Sequence, residues 1–167
     1  MSSSDITLLK ECQLFEGLKE DEIKELLEIS EFMQLDKGEL LFREKDESKS
    51  LYVVIEGCLG VRRHIIEKED DNAPLSPVIA EHGAGETVGE FSFFDDNPRS
   101  AEVFAMKDTR ALVLDPEAFN KYTNEFPKAS QKITANILKI LIYRMRRTDE
   151  KLSVALEWGW EVRGFTK

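Results

Sequence analysis

A chain of 167 residues, 41% hydrophobic and 34% charged, with no apolar run near the about 18–20 residues of a membrane span, suits one compact domain rather than a membrane-spanning protein. Its net charge of −10 argues against a nucleic-acid partner, because phosphate binding rests on clustered Lys and Arg that release counterions. The only cysteines, Cys12 and Cys58, and the only histidines, His64 and His82, fall in no metal-binding spacing, which argues against a disulfide scaffold, a zinc site or a multi-histidine catalytic metal.

The N-terminus, MSSSDITLLK, lacks the basic start and apolar core of a signal peptide, and a cytoplasmic address is expected. In DITLLKECQLFEGLKEDEIKELLEIS the apolar residues Ile23, Leu26 and Leu27 recur at helical spacing among acids and lysines, and Gly17 divides the stretch into two short helices lying on a core. From Phe32 onward the pattern shortens into β-rich runs: ELLF, SLYVVIEG, CLGVRRHII, SPVIAEHG, AEVFAM and RALVLD. Glycines stand at or near their ends, and this many short strands within about 85 residues predict a small antiparallel barrel or jelly roll. The segment EKEDDNAPLSP, Glu67 to Pro77, is charged and carries two prolines, the composition of an exposed hairpin tip.

After the last strand, DPEAF is a helix start: Asp115 is suited to the N-cap, and Pro116 to the first helical position, where its missing N–H is not needed. That helix runs toward Phe126, and Pro127 opens a long one expected over about 128–152. Ile133, Ile137 and Ile140 mark one apolar face of it. Thr134, Leu138, Leu141, Met145, Thr148 and Leu152 form a second, heptad-like seam at alternating spacings of four and three. A second face is explained either by a partner helix, most simply that of another copy, or by a wider burial face within one chain. Residues 128–167 hold nine Lys or Arg against four acids, so a mildly basic end follows an acidic body at −15. In the short tail 153–167, Trp158, Trp160 and Phe165 are suited either to anchoring a partner or to covering the end of the domain.

One stretch carries the candidate chemistry: VGEFSFFDDNPRSAEVFA, Val88 to Ala105. Gly89 permits close approach of the backbone, and a short helical turn after Glu90 would aim free N–H groups at an anion. Ser92 leaves room for that anion, and Arg99, after the turn residues Asn97 and Pro98, can return over it as a charge-assisted donor. Glu90 is an acceptor suited to sugar hydroxyls. The same two residues could instead form an internal ion pair.

The run Gly89-Glu90 and, after a short gap, Pro98-Arg99-Ser100-Ala101 resembles the phosphate-binding cassette of cyclic nucleotide-binding domains. LFEGL, LDKGELLF, SLYVVIEG and HGAGETVGE stand in that family's order, so the resemblance covers about Leu8 to Leu152. It implies an eight-stranded antiparallel β-roll with N-terminal helices and a long C-terminal dimerisation helix, residues 1–152 forming the binding domain. It implies that Glu90 binds the ribose 2′-hydroxyl and Arg99 the cyclic phosphate, with Gly89, Phe91, Ser92, Ser100 and Ala101 completing the cradle. The segment ILIYRMRRTDEKL is similar to the dimerising helix of the catabolite-activator branch. There a Thr-Ser pair reaches adenine, one residue from each subunit; Thr148 and Asp149 match it, and an acidic Asp149 departs from it. Other departures are Phe91 and Ser92 in place of an aliphatic residue and Ala, the added Phe93 and Phe94, and Lys45 where a turn glycine is common. A phenylalanine turned inward would fill the pocket in place of ligand.

No recognition helix fits the residues after Leu152, so direct transcription-factor action is not expected. The expected function is a cyclic nucleotide sensor, not an enzyme and without cofactor or metal, that binds cAMP and signals by a conformational change. Its expected partners are a second copy and an effector protein, with no nucleic acid and no membrane. The alternatives are a cGMP-binding module, or an interaction module that keeps the roll and binds no ligand.

Overall fold

The computed structural model describes residues 3–63 and 77–162, with side chains over 6–63 and 77–159; the expected hairpin tip falls almost wholly outside them, as do the side chains of Trp160 and Phe165. The chain opens with α1 (Ser3–Glu11), a 3₁₀ turn (Gln13–Phe15) and α2 (Glu20–Glu28). Ile23, Leu26 and Leu27 are buried as their spacing requires.

Among the described residues, eight strands follow: β1 (Glu31–Leu35), β2 (Leu40–Phe42), β3 (Leu51–Glu56), β4 (Cys58–Arg62), β5 (Val78–Gly83), β6 (Thr87–Val88), β7 (Glu102–Ala105) and β8 (Thr109–Leu114). They form two antiparallel four-stranded sheets, in the orders β1-β8-β3-β6 and β2-β7-β4-β5. The chain is therefore mainly antiparallel β with flanking helices, a β-roll. Two strands escape the reading from β-rich runs. β1 is largely exposed and has no apolar alternation, and β6 is only Thr87 and Val88.

The unbroken apolar run of β3 has a physical reason: it is buried on both faces. Leu51, Val53 and Ile55 join Leu112 and Leu114 of β8 in a core shared with the helices, while Tyr52 and Val54 face Leu59, Val88 and Val103 inside the roll. Between β3 and β4 the chain turns at Gly57, whose φ is +96°; a Cβ there would lie 2.4 Å from the Asp108 carbonyl oxygen, so only glycine fits.

A short helix, α3 (Glu90–Asp95), lies between β6 and β7. After β8, α4 (Pro116–Glu125) is capped by the Asp115 carboxylate, which accepts from the Glu117 and Ala118 amides at 2.9 and 3.2 Å, with Pro116 inside the first turn. The final helix, α5 (Pro127–Val162), is 36 residues long and continues through residues 153–162, beyond the end near 152 that its apolar periodicity suggests. Ala155, Leu156 and Glu157 are good helix formers, and the single Gly159 does not stop it. Its first half packs on the helical core through Ala129, Ile133 and Ile137. Among the described residues, no helix is long and apolar enough to cross a membrane.

Candidate functional site

α3 starts from Gly89, which has φ +84° and ψ +9°. A Cβ at this position would stand 2.5 Å from Arg99 Nη1 and 2.8 Å from the Ser50 carbonyl oxygen, so the glycine is required both by conformation and by the closeness of the arginine. Arg99 itself is 2% exposed. Its guanidinium donates to Ser48 Oγ at 3.0 Å, to the Gly89 carbonyl at 3.0 Å and to the Ser50 carbonyl at 2.7 Å. It also lies over the Phe42 ring, 4.1 Å from the centroid. Burial pulls its pKa down from the ordinary arginine value, opposed by Tyr52, Asp46 and Glu90, and the group remains a cation at neutral pH. Its backbone is fixed as well. The Arg99 amide donates to the Asp46 carbonyl and the Lys45 amide to the Arg99 carbonyl, both at 2.8 Å. Lys45, at the position where the resemblance calls for glycine, holds φ +70° in this loop.

Glu90 does not pair with Arg99. Its carboxylate, 6% exposed, accepts through Oε1 from Arg144 Nη1 of α5. The other nitrogen of that guanidinium donates to the Thr87 carbonyl at 2.7 Å and lies 3.3 Å from His82 Nδ1. Burial, and next the charge of Arg144, push the His82 pKa below the ordinary histidine value against the pull of Glu86. One turn beyond Arg144, the Thr148 hydroxyl donates to the Arg144 carbonyl at 2.9 Å, so toward any ligand it offers oxygen lone pairs.

These groups surround one cavity of about 820 Å³ between the roll and α5, within the ordinary range of small-ligand sites. Gly89, Glu90, Phe91, Ser92, Arg99, Ser100, Ala101 and Thr148 all line it. Asp149 is exposed and absent from the lining. Phe93, Phe94 and Phe104 do not fill it. Phe93 packs against Phe119 with centroids 5.4 Å apart, Phe104 lies beneath Arg62 at 4.6 Å, and Phe94 is 46% exposed. Phe91, 53% exposed, stands at the edge of the cavity and of a smaller apolar groove of about 270 Å³ between α3 and α5.

Sequence reasoning named Thr148 from α5 and missed its charged neighbours. Arg144, Arg147 and Lys151 line the cavity beside Thr148, and so do Tyr143 and, from β5, His82. A signal for Arg144 was present: it stands four residues before Thr148, hence on the same helix face. Its choice of Glu90 required the fold.

The model of the cyclic nucleotide-binding domain family matches residues 32–126. Among curated proteins, the lysophospholipase NTE1 of Chaetomium globosum is 34% identical over 116 residues, which are 70% of this chain and 7% of that protein. The chain thus spans about a fourteenth of the length of that enzyme. A solved cyclic nucleotide-binding domain from Methylobacillus flagellatus superposes with a TM-score of 0.76 at 24% identity, covering 90% of this chain and 82% of that one. The catabolite activator protein of Thermus thermophilus gives a TM-score of 0.70 at 27% identity, covering 86% and 62%.

Proposed function

The chain belongs to the cyclic nucleotide-binding domain family, and we propose that it is a non-catalytic sensor whose ligand is cAMP. One observation carries this reading: a buried, permanently charged arginine and a buried carboxylate line the same open cavity, beside Ser92, Ser100 and a helix residue with an acceptor hydroxyl. In this reading the cyclic phosphate meets Arg99, Ser100 and the first amides of α3. The ribose 2′-hydroxyl donates to Glu90, whose Oε1 is engaged by Arg144.

The base then extends along α5. Thr148, with its own proton on the Arg144 carbonyl, suits the amino group of adenine. Arg147 and Lys151 are donors that suit the carbonyl of guanine, which keeps cGMP as the second candidate. Asp149, outside its own cavity, is assigned to the pocket of a second copy, and the two copies associate through α5. Signalling follows from a shift of α5 against the roll on binding, reported to an effector protein. The same reading makes it a cytoplasmic protein with no catalytic group, cofactor or nucleic-acid surface.

The test is thermal denaturation with cAMP, cGMP or a cyclic dinucleotide. At about 100 times the dissociation constant a ligand stabilises the fold by about 2.7 kcal/mol. The expected order of midpoints is cAMP, then cGMP, then no ligand. No movement with any of the three at millimolar concentration leaves the interaction module that binds no ligand as the better reading.

A further inference from the structure

We infer that His82 is a positioning residue of this site: its neutral ring holds Arg144 on Glu90, and protonation of the ring releases Arg144 together with the half of α5 that roofs the cavity. The geometry is that of a junction. Arg144 reaches three elements at once, Glu90 of α3, the Thr87 carbonyl of β6 and His82 Nδ1 of β5. A guanidinium has donors only, so a ring nitrogen 3.3 Å away must be the unprotonated one, which assigns the ring proton to Nε2.

His82 is 8% exposed, opposite Leu59 of β4. Among the described residues, the charged and titratable groups that face it are Arg144 from α5 and Glu86, whose Oε1 is 3.7 Å from Nδ1, in the link between β5 and β6; Glu90 stands behind Arg144. Burial and Arg144 outweigh Glu86, so the neutral ring is the resting form at pH 7.

When the proton arrives on Nδ1, N–H faces N–H and one group must leave. His82 is fixed in a strand, whereas Arg144 is the longer side chain, 23% exposed, on the last well-packed stretch of α5. Its departure removes the junction. Among the described residues, a hydrogen bond that remains between the following turns of α5 and the roll is Lys151 Nζ to the Ile79 carbonyl at 3.5 Å. A histidine held neutral supports the latched helix fully above about pH 6.5, and that support is lost as pH falls below it.

The positioning itself is a property of the unliganded protein, and only its consequence for affinity rests on the sensor reading above. It is tested by NMR on the ligand-free chain between pH 7.5 and 5.5, following the His82 ring and the Arg144 side-chain N–H together. The expected result is one shared midpoint below 6.5. In His82→Asn, where a non-titrating carbonyl replaces Nδ1, the Arg144 signal stays flat and latched; in His82→Leu it is released at every pH. An Arg144 signal that ignores the His82 titration, or that is latched in His82→Leu, overturns the inference; should the Leu variant fail to fold, the Asn variant decides alone. Calorimetry with cAMP then reads the consequence: affinity falls by up to about tenfold at pH 5.5, one unit below the ordinary histidine value, and is flat in His82→Asn. If neither cAMP nor cGMP binds while Arg144 follows His82, the positioning stands and the sensor reading falls. If cAMP binds the native chain with a pH-independent affinity, the coupling to ligand is wrong.

Discussion

Arg99 is set in place by neutral oxygens, the Ser48 hydroxyl and the Gly89 and Ser50 carbonyls, which orient its charge without cancelling it. A buried cation in that state favours an anionic ligand, and the same bonds make it part of the fold. Arg99→Ala is therefore expected to lower stability by about 2–4 kcal/mol, since buried carbonyls lose their donors, and to abolish any ligand-induced rise of the melting midpoint. Melting curves with and without cAMP read both effects; a full ligand shift in the variant would mean that the phosphate is held elsewhere. Gly89→Ala attacks the same arrangement from the backbone. The new Cβ would meet Arg99 Nη1 at 2.5 Å with φ at +84°, and an unfolding free energy lower by about 2–4 kcal/mol is expected. Lys45 runs the other way. A lysine at φ +70° carries left-handed strain, so Lys45→Gly, after the entropy gained by the unfolded chain, should raise stability by about 0.5 kcal/mol.

At the scale of the element, local chemistry was readable wherever the chain alone decides the outcome. Asp115 and Pro116 announce α4, and the structure has both amide bonds of the cap; Asp115→Ala should cost about 1 kcal/mol in a denaturant titration. The apolar runs and their bounding glycines likewise mark six of the strands, and the burial of β3 on both faces accounts for a run that does not alternate. What stayed hidden was decided by neighbours. β1 has one buried residue in five and is a strand because β8 pairs with it over its whole length. β6 exists because Tyr52 and Val53 of β3 accept Thr87 and Val88 beside them. The cassette shows the same division within one site. Glu90 and Arg99 could be picked out as a pair, and so could the helical turn behind Gly89. That each is held by something other than its sequence neighbour, Glu90 by Arg144 fifty-four positions away and Arg99 by Ser48 and Ser50, is a product of the roll closing against α5.

At the scale of the whole molecule, α5 presents two faces with different fates. Ile133, Ile137 and Ile140 are buried in the chain, whereas Leu138, Met145 and Leu152 of the seam are 58, 60 and 56% exposed. Leu141, between them, packs partly on the helical core, so its substitution would weaken the fold and the seam together. Met145 and Leu152 separate the two. Both side chains are solvated in one copy, and Met145→Glu with Leu152→Glu should leave the monomer's stability within about 1 kcal/mol while placing four carboxylates in the seam of a pair. The seam proposed for a second copy continues through Ala155 to Gly159 at the same alternating spacing, and its small residues permit close approach of two helices. Light scattering is expected to give a dimer for the native chain and a monomer for the double variant; a dimer in both would remove this seam as the interface. Thr148 stands at once in the proposed seam and in the cavity wall, so under that proposal association and ligand binding share a residue. If that proposal holds, reciprocal linkage requires that saturating cAMP tighten the dimer by the square of the factor by which dimerisation tightens each bound cAMP. Sedimentation at several protein concentrations, with and without saturating cAMP, measures the first factor. Titration of the native chain and the double variant measures the second. Factors of one in both measurements would show that ligand and partner act on α5 separately.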